Sequence, residues 1–266
     1  MIKIRPSKEF VKIEKRLRFV ISALILTGLL VVATFFSFNR ALYALPVVIL
    51  ATYFFTYFSI VEGIEKIEWL TLFFMPLVVT ISFYFFYFLF PGRWLTRLPF
   101  ALGYFISIYA VLLCSNIFNV GVEKSLQLYR AAFSINFFYE TIALFFISNI
   151  FLSTKQGFFI NGIALGGISF IFSIYLFWTI RLKDHFERES LNYALLIGTI
   201  FFEIAVILSL IPIKSTIFSL FITTSFYSLT GLIYSYIDQR LFKETIREYL
   251  VVLAFVSLIL LLTLSW

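Results

Sequence analysis

Two carboxylates, Glu140 and Glu203, lie inside apolar runs long enough to cross a lipid bilayer. A carboxyl at that depth is costly, so such a residue marks a functional site until a structural role accounts for it. The chemistry open to it is proton binding and release, coordination of a small cation, or a hydrogen bond to a polar substrate. Each has a polar residue one helical turn earlier: Asn136 before Glu140 and Thr199 before Glu203. Residues four apart share a helix face, and Asn192 falls on the face of Glu203 as well. The spacing therefore predicts two polar stripes turned away from lipid, and a substrate or ion site made of Glu140, Glu203, Asn136, Thr199 and Asn192. The competing reading is structural. A neutral acid can hydrogen-bond between helices and hold a bundle together, typically for about 1 kcal/mol. No Lys or Arg sits at matching depth, which argues against a buried ion pair.

Other polar groups suggest contacts with the membrane surface. Arg93 and Arg97 flank Trp94 after the Pro91-Gly92 turn and are placed to meet an anion or a lipid headgroup. Residues 7–18 read as an amphipathic helix with Phe10, Ile13 and Leu17 on one side. Lys8, Lys12, Lys15 and Arg16 cover the other side and suit the anionic inner leaflet. Much chemistry is excluded. The single His (His185) and single Cys (Cys114) cannot assemble a zinc site, and no intrachain disulfide is possible. HExxH and P-loop patterns are absent, and His185 lies in a charged loop where it cannot serve a membrane-embedded serine nucleophile. No cofactor is expected. The +7 net charge belongs mostly to the N-terminal tail at a membrane surface, not to a nucleic-acid face.

The elements that position these groups are apolar helices. The chain is 62% hydrophobic and 13% charged, with 37 Phe and 15 Tyr among its 266 residues. Its mean hydropathy is +1.01, and this is the composition of a membrane protein. A hydrocarbon core needs about 20 helical residues per crossing. Nine runs qualify: about 19–38, 42–60, 69–90, 99–118, 131–152, 158–180, 191–213, 216–236 and 249–266. Pro46, Pro76, Pro91, Pro99 and Pro212 are expected at edges or bends, and Gly162, Gly166 and Gly167 at a close helix contact. With the N-terminus inside and nine crossings, 16 of the 21 Lys and Arg fall on the inner side. Twelve of the 14 acids fall there too, the exceptions being Glu140 and Glu203. The outer face has no carboxylate, which disfavours multi-pass sugar transferases that use outer-loop acids.

Two patterns recur. Arg181–Leu191 aligns with Arg240–Leu250 at an offset of 59, which suggests duplicated hairpins, although charged loops between helices recur at such spacing anyway. Ser115-Asn116-Ile117-Phe118 returns as Ser148-Asn149-Ile150-Phe151, for which a helix-end cap or chance is sufficient. The first apolar stretch is too long for a cleaved signal peptide and no small-x-small site follows it. Residues 91–101, Asn116–Val120 and Gln127–Ala132 resemble a family of uncharacterised multi-pass membrane proteins of small-genome bacteria. That resemblance implies the cytoplasmic (inner) membrane and assigns no activity. The resulting expectation is an all-α polytopic bundle of nine transmembrane helices, N-terminus in and C-terminus out. Residues 1–18 form a cytosolic basic segment and 19–266 one transmembrane domain. The leading function is a small-solute or ion transporter, proton-coupled through its mid-membrane carboxylates. A non-catalytic scaffold or complex subunit is the alternative, and a lipid-modifying enzyme the third. Expected partners are the bilayer, a membrane protein or a second copy, with no nucleic acid.

Overall fold

The computed structural model describes residues 14–36, 38–60, 69–89, 94–120, 126–182 and 186–264. Nine helices and no strand occur among the described residues. They are α1 (Lys15–Ala33), α2 (Phe38–Ile60), α3 (Trp69–Tyr87), α4 (Trp94–Val120), α5 (Leu126–Ser153), α6 (Phe158–Arg181), α7 (Arg188–Ser209), α8 (Ser215–Ile237) and α9 (Lys243–Thr263). Eight are long and apolar enough to span a bilayer, and α3 is apolar from Thr71 to Tyr87. Helix is the required form because hydrocarbon offers no partner to a free backbone N–H or C=O. Many exposed positions are accordingly Leu, Phe, Ile and Val, as on α9, where Phe255 is 62% and Leu262 76% exposed.

Two boundaries differ from the sequence expectation. α1 starts at Lys15, so Lys15–Arg18 form its first turn. The reversal between α1 and α2 falls at residues 34–36, ahead of the expected Asn39-Arg40, which open α2 instead. Pro46, Pro76 and Pro99 lie inside α2, α3 and α4, while Pro212 lies in the α7–α8 connection. A helix in lipid tolerates proline when neighbouring helices and hydroxyls support the interrupted backbone.

The chain forms two compact units, Met1–Tyr139 and Glu140–Trp266. In the first, α1 packs on α2 and α4, and α3 packs on both α2 and α4. Hydroxyls link these helices: Ser59 Oγ donates to Ser22 Oγ at 2.9 Å, and Thr80 Oγ1 bonds the Tyr104 hydroxyl at 2.9 Å. Asn119 Nδ2 donates to the carbonyl of Ile60, the last residue of α2, at 3.0 Å, and so caps a neighbouring helix. Phe118 meets Tyr129 edge-on with ring centres 6.1 Å apart, which joins the start of α5 to α4.

In the second unit the tightest pair is α6 and α7. Its basis is glycine. A methyl built on Gly166 would stand 2.8 Å from the Gly198 carbonyl, and one on Gly162 would stand 2.6 Å from Val206. One on Gly198 would lie 2.9 Å from Phe170 Cβ, so the contact is glycine on both sides. Gly167, expected in the same contact, is exposed, with nothing within 4 Å of an added methyl. α8 and α9 close similarly: Tyr249 packs over Gly231, and Ser228 Oγ donates to the Tyr249 carbonyl at 3.2 Å. Three turns use a left-handed residue, Lys155 (φ 52), Leu182 (φ 48) and Gln239 (φ 57).

Candidate functional site

The buried face of α5 carries the strongest candidate. Ala132, Phe133, Asn136, Phe137, Glu140, Ala143, Leu144, Ser148, Asn149 and Leu152 are buried, a repeat of three and four residues. Four of these positions are polar: Asn136, Glu140, Ser148 and Asn149. Glu140 is 0% exposed and stands near the middle of a 28-residue helix, about 20 Å from either end. Neither of its carboxyl oxygens has a hydrogen-bond partner among the described residues, and the Ser148 hydroxyl has none. Asn136, one turn earlier, is also 0% exposed. Ser148 and Asn149 lie inside the helix and not at its end, so the recurring Ser-Asn-Ile-Phe segment is part of the buried face and does not cap α5.

Of the two predicted stripes, that of α5 faces inward and that of α7 faces outward. Asn192, Thr199 and Glu203 are exposed, and the Thr199 hydroxyl donates to its own helix at the Leu196 carbonyl, 2.9 Å away. The reason lies in the opposite face of α7. Ala194, Ile197, Gly198, Phe201, Ala205 and Leu208 are small or apolar and take the buried side. The closest backbone approach of α6 occurs at Gly198, on the face of α7 away from the polar positions. Glu140 and Glu203 therefore stand in different surroundings, one buried and one exposed.

Arg97 is held more firmly than a free headgroup contact requires. Its Nε donates to the Tyr87 hydroxyl at 2.9 Å, and its guanidinium lies 4.2 Å over the Phe35 ring. Of the inner-leaflet set, Lys15 is half-buried and Arg16 exposed in the first turn of α1. Lys8, Lys12, Arg93 and His185 lie outside the described residues. Arg18 was missed by the sequence reading, which placed it in a cytosolic segment. It is 0% exposed on the face of α1 that also buries Ser22 and Leu26. The signal was its phase, four and eight residues before those two. Among the described residues no three His, Cys, Asp or Glu gather to hold a metal ion.

Membrane-length helices with a carboxyl enclosed at mid-span define a polytopic integral membrane protein. The chain belongs to the family described as "Protein of unknown function (DUF5656)", whose model matches residues 62–263. The match ends at the last residue of α9 and leaves α1 and α2 outside it. Comparison with curated proteins and with solved structures returns no match.

Proposed function

We propose that this protein is a small-solute or ion transporter of a bacterial cytoplasmic membrane, with Glu140 as its proton- or cation-binding group. The observation that carries the reading is the Glu140 carboxyl, fully buried with neither oxygen hydrogen-bonded among the described residues. A glutamate kept only to pin helices together is expected to donate or accept across the contact, because an unsatisfied carboxyl destabilises the bundle. One left unsatisfied supports a ligand that comes and goes. Asn136 on the same face adds an amide that can orient that ligand. Arg97, with Nη groups not used by Tyr87, supports an anion or headgroup contact on the outer side. The N-terminus lies inside, with Lys15 and Arg16 at the anionic inner leaflet. No catalytic role is assigned to any residue.

The experiment uses proteoliposomes containing a pH-sensitive dye and a panel of sugars, amino acids, organic acids and monovalent cations. The expected result is solute-dependent proton or cation movement that Glu140→Gln abolishes. In a Cys114→Ser background, a single cysteine at 140 should react with a membrane-impermeant thiol reagent from one side. Unchanged flux in Glu140→Gln, or a position 140 closed to water from both sides, overturns the reading. The scaffold alternative draws on a separate observation, the outward polar face of α7.

A further inference from the structure

α7 presents a polar ridge to the membrane. Asn192, Thr199 and Glu203 are spaced by seven and four residues, which keeps them within about 40° on a helix. Leu195, Leu196 and Ile207 flank them at 59%, 48% and 59% exposure. Glu203 stands six residues before the helix ends at Ser209, about 9 Å along the axis. Its side chain is too short to carry the carboxyl clear of hydrocarbon from there. In either protonation state it needs a hydrogen-bonding partner.

Beside the ridge runs an open groove of about 300 Å³ between α6 and α7, lined by Gly166, Gly167, Phe170, Leu195, Thr199 and Phe202. Gly167 leaves it clear, since an added methyl there would touch nothing within 4 Å. Small residues of this kind let another helix approach closely in lipid.

We propose that the α7 ridge and the α6–α7 groove are the contact for a second copy of this chain. Copies in one bilayer share an orientation, so a two-fold axis along the membrane normal brings each residue to its own counterpart at the same depth. Asn192 and Glu203 can each pair with their counterparts, amide with amide and protonated carboxyl with carboxyl, while the Thr199 hydroxyl stays on the Leu196 carbonyl of its own helix. A cationic partner is not needed. A different protein would have to match an amide and a carboxyl at two depths, whereas a second copy does so by symmetry. Leu196 and Ile207, on the side of each ridge away from its own groove, then enter the groove of the other copy. This contact is independent of the role given to Glu140.

The test is the oligomeric state in dilute proteoliposomes. In the Cys114→Ser background, single cysteines at 199 and 203 should form an interchain disulfide on mild oxidation. One at the exposed α9 position 255 should not. Single-molecule photobleaching of labelled protein should give two steps. Gly167→Leu fills open space without disturbing its own fold and should shift the count to one step. Glu203→Leu should weaken pairing roughly 3- to 30-fold, the worth of a hydrogen bond between membrane helices. Glu203→Gln keeps a self-pairing group and should retain the pair. One-step bleaching of the unaltered protein, or undiminished pairing in both Gly167→Leu and Glu203→Leu, overturns the proposal.

Discussion

On the proposed reading, Glu140 sets stability against function. An enclosed carboxyl without a hydrogen bond is destabilising, and an apolar side chain of similar size removes that cost. Glu140→Met should therefore stabilise the fold by about 1–3 kcal/mol, read as a higher midpoint of unfolding in detergent. The same change should abolish any coupled flux, the trade expected of a site kept strained for use. A destabilised Glu140→Met would instead mean that the carboxyl holds the bundle together. The sequence showed Glu140 and Asn136 plainly, because an acid among phenylalanines has few readings. It did not show which way Glu203 points. Asn192, Thr199 and Glu203 mark a face, but inward or outward depends on which side of α7 packs more closely, and Gly198 decides that. Arg18 was obscured for the opposite reason. Its charge suggested the cytosol, while its helical phase put it on the buried face.

At the level of elements, all nine helices were legible from run length, since lipid leaves the backbone one solution in each run. Their ends were less so. Polar first turns such as Lys243–Arg247 of α9 continue the helix beyond its apolar stretch, where run length gives no signal. The glycines of α6 show how far a motif reaches. Gly162 and Gly166 meet α7 as small residues in a membrane helix should, yet Gly167, one residue on, is rotated about 100° away. A paired measurement separates them. Gly166→Leu drives a side chain into the Gly198 backbone and should destabilise the second unit by roughly 1–3 kcal/mol or more. Gly167→Leu should leave the unfolding midpoint of the monomer in detergent unchanged. Equal effects at both positions would mean that the α6–α7 contact is not centred on Gly166 and Gly198.

For the whole molecule, the distribution of positive charge sets sidedness. Successive helices alternate direction if each crosses the membrane once. The α5–α6 and α7–α8 connections then share one side, and the α6–α7 and α8–α9 connections share the other. The first pair carries only Lys155 and Lys214, whereas the second carries Arg188, Arg240, Lys243 and Arg247 near its turns. Positive charge is retained on the cytosolic side during insertion, so the second pair is expected inside and the C-terminal end of α9 outside. Single cysteines at 155 and 214 in the Cys114→Ser background should react with an impermeant maleimide on intact cells. Cysteines at 188 and 243 should react only after permeabilisation. Full reversal would invert the orientation and place the polar turns outside. Labelling of 155 and 214 from opposite sides would mean that α6 and α7 do not both cross. The two outcomes differ for Glu140 as well. Reversal leaves it at mid-membrane and changes only the side from which the proposed ligand would arrive, because a carboxyl near the centre of α5 is nearly equidistant from both helix ends.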